Sequence, residues 1–140
     1  MTENTEAPRL QSERTDRERR NLAIAREMYE RVLMPFDSTN LDRYIAPDYI
    51  QHGALAADGR EPLRRFLDEA RQKWPKARLE IRREFVDGDF VIFHVFGALR
   101  PEDRGSVVVD IFRMQNGLIQ EHWEAIQEIP ETLAHQNGMV

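Results

Sequence analysis

The chain has 140 residues, the length of one ordinary domain, and a hydrophobic content of 41% suits a single core. A formal charge of -5 gives no basic surface for nucleic acid, no apolar run reaches the roughly 18–20 residues that cross a bilayer, and the charged N-terminus has no signal-peptide core. A cytoplasmic protein without nucleic-acid or membrane partners is therefore expected, and the absence of cysteine excludes disulfides, thiolate metal sites and Cys nucleophiles.

Residues 1–14 mix charge with Pro8 and almost no apolar side chain, the composition of a flexible tail. Thr15 and Glu18 have the spacing of a capping box. Leu22, Ile24, Ala25, Met28, Tyr29, Val32 and Leu33 then recur at roughly helical spacing, which predicts a helix over about residues 16–34, before Pro35. Asn40 can cap a short second helix with Leu41, Tyr44 and Ile45, ended by Pro47. An extended segment from Asp48 to His52 and a loop through Asp58-Gly59 follow. A third helix is predicted from Glu61-Pro62, with Leu63, Phe66, Leu67 and Ala70 facing inward and Trp74-Pro75 as its stop.

From residue 78 the period changes to two. Leu79, Ile81 and Phe85 mark a strand that reaches Asp87-Gly88, a hairpin signal, and a second strand runs from Phe90 to Leu99. A loop over 100–105 leads to a strand from Ser106 to Met114, and Asn116-Gly117 turns the chain into a last strand from Leu118 to Ile129. Helices first and an antiparallel meander second predict an α+β domain over residues 15–130, with the helices on one face of a curved sheet and residues 131–140 as a C-terminal tail.

Strand alternation sorts the polar candidates by face. Ile92, His94 and Phe96 share one face of their strand and Val91, Phe93 and Val95 the other; both are apolar, so the strand reads as central and His94 as buried. Asp110 shares a face with Val108, Phe112 and Met114, and a carboxylate in an apolar row is costly unless it is paired, neutral or set in a cavity. On the last strand His122 lies with Gln120, Glu124 and Ile126, and Trp123 with Ile119, Ala125 and Gln127; the pattern alone leaves open which row faces inward. Each candidate also has a structural reading: His94 as a hydrogen-bonded core histidine, Asp110 as the ion-pair partner of Arg113 or Arg82, and His122 beside Trp123 as part of a surface or dimer face. No His-x-His or His-Glu-x-x-His spacing, phosphate loop or Gly-x-Ser-x-Gly elbow is present, so neither metal nor nucleotide cofactor is expected.

Tyr49-Ile50-Gln51-His52, Asp58-Gly59, His94, Val109-Asp110-Ile111-Phe112-Arg113, Asn116-Gly117 and Glu121-His122-Trp123-Glu124, with Gln127 and Pro130, together resemble the SnoaL-like polyketide cyclase family over about residues 20–130. Two positions depart from the family's usual pattern. Gln51-His52 is followed by Gly53-Ala54 where Asn-Pro is usual, and Glu124 follows Trp123 where Asp is common. The resemblance implies the cone-shaped fold of nuclear transport factor 2, with N-terminal helices packed in the concave side of a mostly antiparallel sheet. It also implies that Asp110 is the acid/base carboxylate, with His94 as a polar neighbour in the same cavity and no cofactor.

The chemistry expected on that basis is a cofactor-independent, acid/base-catalysed aldol-type cyclisation or isomerisation of a small hydrophobic carbonyl compound. His94 or His52 would donate to the developing enolate, and Ile92, Phe96, Phe112 and Trp123 would wall the ligand, with His122 and Glu124 among the contacts. The alternative is a module of the same fold that binds such a ligand without turning it over. A homodimer is expected as well, since the convex side of the sheet would leave either Val91, Phe93 and Val95 or Val107, Val109 and Ile111 to be covered by a second copy.

Overall fold

The computed structural model describes residues 13–140; the expected tail lies, except for its last two residues, outside them. Thr15 caps helix α1 (Asp16–Met28) by accepting from the Glu18 amide, and the Glu18 carboxylate accepts from the Thr15 amide in return, which completes the predicted capping box. Glu18 does more than cap. It is only 2% exposed, and its second oxygen accepts from the Gly88 amide at 3.0 Å while Asn21 donates to the Gly88 carbonyl, so the start of α1 is tied to a turn of the sheet.

The predicted long helix is continuous in direction but changes its winding. From Tyr29 to Leu33 it follows a π turn, with the Met34 amide donating to the Tyr29 carbonyl at 2.8 Å. Such single π turns often accompany functional sites. Here the turn begins at Tyr29, one of the largest fully buried side chains. Helix α2 (Leu41–Tyr44) is followed directly by strand β1 (Ile45–Gln51), and helix α3 (Arg60–Lys73) carries Pro62 in its first turn. Pro47 therefore does not end α2; it lies inside β1. That strand is at the sheet edge and its register is irregular between Ile45 and Ile50, where a residue without an amide hydrogen is tolerated.

The meander follows as β2 (Arg78–Asp87), β3 (Phe90–Ala98), β4 (Ser106–Gln115) and β5 (Leu118–Glu128). The first hairpin turns through Gly88-Asp89, one residue later than the Asp87-Gly88 expected, because Asp87 pairs with Phe90 and the left-handed φ of 58° falls on Gly88. Asn116 and Gly117 both take positive φ, 53° and 74°, the geometry of the type I′ turn that their pairing suggests. The sheet order is β1-β5-β4-β3-β2, with β1 parallel to β5 and the other neighbours antiparallel, so five strands form an open mixed sheet. No helix among the described residues is long and apolar enough to cross a membrane. No helix or strand follows Glu128.

The core lies between the helices and the inner face of the sheet. Val91, Phe93 and Val95 of β3 are fully buried there with Ala25, Tyr29 and Val32 of the N-terminal helix, and Leu63 and Leu67 of α3 complete the layer. This corrects the expectation that this row might face outward: the outer row of β3 is Ile92, His94 and Phe96. Phe93 fits edge-on against Tyr29, ring centroids 5.4 Å apart, and truncating such a buried ring to alanine costs about 3–5 kcal/mol.

Candidate active site

Strand pairing assembles the site. Asp110 on β4 stands opposite Phe93 on β3 and Glu124 on β5, and Phe112 stands opposite His122, so these side chains share the inner face. A register shift between Arg113 and Met114 puts Ile119 inside as well, after which strict alternation carries His122 and Glu124 inward and Trp123 outward. The row left undecided by the sequence is thus the one with His122.

Asp110 is 3% exposed and is in hydrogen-bonding contact with Tyr29, His122 and Glu124. The Tyr29 hydroxyl donates to its Oδ2 at 2.8 Å, and His122 Nε2 lies 2.8 Å from its Oδ1. The other ring nitrogen of His122, Nδ1, is 2.9 Å from Gln51 Oε1, and the Phe112 ring stacks on the imidazole at 4.8 Å. Among the described residues no arginine pairs with Asp110: Arg113 is bonded to Glu121 and Arg82 to Glu80. Burial, and then the Asp110 charge, hold the Tyr29 hydroxyl well above its ordinary pKa, so it remains a donor. Burial first and the charges of Glu124 and Asp110 next do the same for Tyr49. The pKa of the Glu124 carboxyl is raised by burial and then by Asp110, with His122 opposing.

Tyr29, Gln51, Asp110, His122 and Glu124 line a cavity of about 760 Å³. Its walls are apolar, with Leu33, Phe36, Leu63, Phe66, Trp74 and Val108 among them, and Arg100, Glu102, Asp103 and Arg104 of the β3–β4 loop also line it. The volume lies in the range of small-molecule pockets, and the contrast between greasy walls and a few convergent polar groups is typical of them. Asp110, His122 and Glu124 each offer one ligand atom, all within 4.8 Å of one another, so a divalent ion would find one nitrogen and two oxygens here. Sequence spacing could not reveal the set, because Asp110 joins the other two only through strand pairing.

Of the residues singled out from sequence, Asp110, His122 and Glu124 come together at the cavity; Phe112 stacks on His122 but, against expectation, does not itself line the cavity. His94 does not join them. Its register partner is Val109, so it faces the opposite side of the sheet from Asp110, where Arg83 donates to its Nδ1 at 3.0 Å. Ile92 and Phe96 follow the same alternation outward, and Phe96 lies under the guanidinium groups of Arg78 and Arg82. His52 and Trp123 are also on the outer face, stacked at 4.9 Å, with His52 bonded to Glu121. None of these five lines the cavity.

Four residues near or in the site were not among the predicted ones: Tyr29, Tyr49, Gln51 and Gly53. Tyr29 reads in the sequence as one more apolar position of a helix, and nothing local marks its hydroxyl. Gly53 is set by space, since a Cβ there would come within 2.8 Å of Glu124 Oε1 and 2.9 Å of Gln51 Oε1. The two departures from the usual pattern, Gly53 and Glu124, are therefore in contact, the missing side chain making room for the longer acid.

The family model of the SnoaL-like domain matches residues 25–122. The chain belongs to this family. No curated protein matches it. Among solved structures, it is similar to an NTF2-like protein of unknown function from Mesorhizobium loti, with 21% identity and a TM-score of 0.67 over 81% of this chain and 96% of that one. It is similar also to IdmH, a proposed polyketide cyclase from Streptomyces antibioticus, with 20% identity and a TM-score of 0.64 over 76% of this chain and 91% of that one. A SnoaL-like protein of unknown function from Burkholderia thailandensis, 14% identical, gives a TM-score of 0.66 over 79% and 96% of the two chains. At these identities the likeness carries the fold, which is the NTF2-like one expected.

Proposed function

We propose that this SnoaL-like protein is a cofactor-independent acid/base catalyst that closes or isomerises a small hydrophobic carbonyl compound by an aldol-type step. The observation that carries the reading is the buried His122–Asp110 pair lining an apolar cavity, with Glu124, its carboxyl pKa raised by burial, beside it. A carbon acid flanked by two carbonyls would give its proton to Asp110 at Oδ2, the oxygen that does not face His122, with Tyr29 donating to the same atom. Its electron pair becomes the enolate, the enolate carbon bonds to a second carbonyl carbon, and the oxygen freed there takes the proton of Glu124. Proton transfer from the pair back to Glu124 then restores the site, with no atom lost. One positioned acid/base group contributes about 100- to 10,000-fold to such a reaction.

The reading moves the second polar group from His94 to His122 and gives Glu124 the role of donor. Native mass spectrometry against a panel of aromatic β-polyketides and steroid or terpenoid carbonyl compounds, followed by product analysis of every compound retained, tests it. Retention together with ring closure or double-bond migration supports it. Retention with every compound recovered unchanged favours the binding module.

A further inference from the structure

We propose that Gln51 is a positioning residue that sets the tautomer of His122 and so holds one proton between His122 Nε2 and Asp110 Oδ1 in the ligand-free site. The chain of constraint begins at a backbone amide. The Gly53 N–H can only donate, and its partner at 2.9 Å is the Gln51 side chain, which must therefore present its oxygen, Oε1. That oxygen can only accept, and His122 Nδ1 is 2.9 Å from it, so Nδ1 must carry a hydrogen.

A neutral imidazole protonated at Nδ1 has a bare lone pair at Nε2. That lone pair is aimed at a carboxylate oxygen 2.8 Å away, and two lone pairs do not face each other at that distance without a proton between them. The pair therefore holds one proton more than an ionised Asp110 beside a histidine of the other tautomer would. The ring cannot escape the constraint by turning over, since Phe112 is stacked on it, and Gln51 and His122 are register partners of adjacent strands. The other titratable groups around the pair are Tyr29 from the helix, Tyr49 from β1 and Glu124 from β5. Tyr29 donates to Oδ2, the far oxygen of Asp110, and so leaves Oδ1 for the shared proton.

The catalytic meaning of this arrangement rests on the acid/base reading above; the tautomer does not. The test is long-range ¹H–¹⁵N correlation NMR on the full chain with ¹⁵N-labelled histidine and no ligand, recorded across the pH range in which it is folded. In the wild type His122 Nδ1 should carry its hydrogen throughout. In Gln51→Leu, which removes the acceptor, Nδ1 should lose its hydrogen and Nε2 gain it; Gln51→Glu, which keeps an acceptor, should retain the wild-type pattern. A bare Nδ1 in the wild type, or an unchanged tautomer in Gln51→Leu, overturns the proposal. Should Gln51→Leu not fold, the wild-type and Gln51→Glu spectra still decide it. A correct tautomer in a protein that turns nothing over would count against the catalytic reading and leave this one standing.

Discussion

Replacing Asp110 with asparagine separates chemistry from architecture in this site. With His122 protonated at Nδ1, the new amide can donate from Nδ2 to the lone pair on His122 Nε2 and accept from the Tyr29 hydroxyl at Oδ1, so the contacts to both neighbours are retained. The change is then close to isosteric, and unfolding free energy should move by no more than about 1 kcal/mol, the net worth of one ordinary hydrogen bond. If instead the pair were a buried ion pair on which the fold depends, removing one charge would cost about 3–5 kcal/mol. For a chain of this length 1 kcal/mol corresponds to roughly 3–4 °C in melting temperature, so the two cases differ by some 10 °C in a thermal melt. A melting temperature within a few degrees of wild type is expected. A fall of 10 °C or more would refute the reasoning about how the proton is shared.

Three further outcomes are expected. Glu124 holds its proton more tightly folded than unfolded, so it weakens the fold as pH rises from its unfolded value through its raised folded one; Glu124→Gln should remove this loss, and urea denaturation between pH 4 and 8 should show a flatter stability profile than wild type. Gly53→Ala pushes a methyl group against Glu124 and Gln51, whose flexible ends can yield; melting should report a cost of about 1–3 kcal/mol, with turnover falling on the order of 100-fold as the acid is displaced. The outer face carries Phe85, Ile92, Ile111 and Trp123 as one row across four strands. We expect a second copy to cover it, so that analytical ultracentrifugation at micromolar concentration finds a dimer in the wild type and a monomer in Ile111→Asp.

The sequence makes much of the fold legible because its signals are local. The capping box at Thr15 and Glu18, the Asn116-Gly117 turn and the change of period at residue 78 each act over a few residues, and each appears where expected. Pro47 misleads because a proline that would end a helix is also acceptable in an edge strand. The site is legible only in part. Asp110 stands out as a charge in an apolar row, but placing His94 beside it needed the phase of β3 relative to β4, and a shift of one residue sends every side chain to the other face. Tyr29 and Gln51 reach the site from a helix and from a parallel edge strand, contacts that no spacing within one segment reveals.

The central claim is that the His122–Asp110 pair moves a proton to and from carbon. Deuterium exchange in D₂O at the central carbon of an aromatic 1,3-diketone, followed by NMR with wild type and Asp110→Asn side by side, tests it without requiring the natural substrate. The account predicts exchange well above buffer with the wild type and a fall of about 100-fold or more in the folded variant. A diketone that binds the wild type in the cavity yet exchanges no faster than in buffer, or one that exchanges equally fast with both proteins, would contradict it.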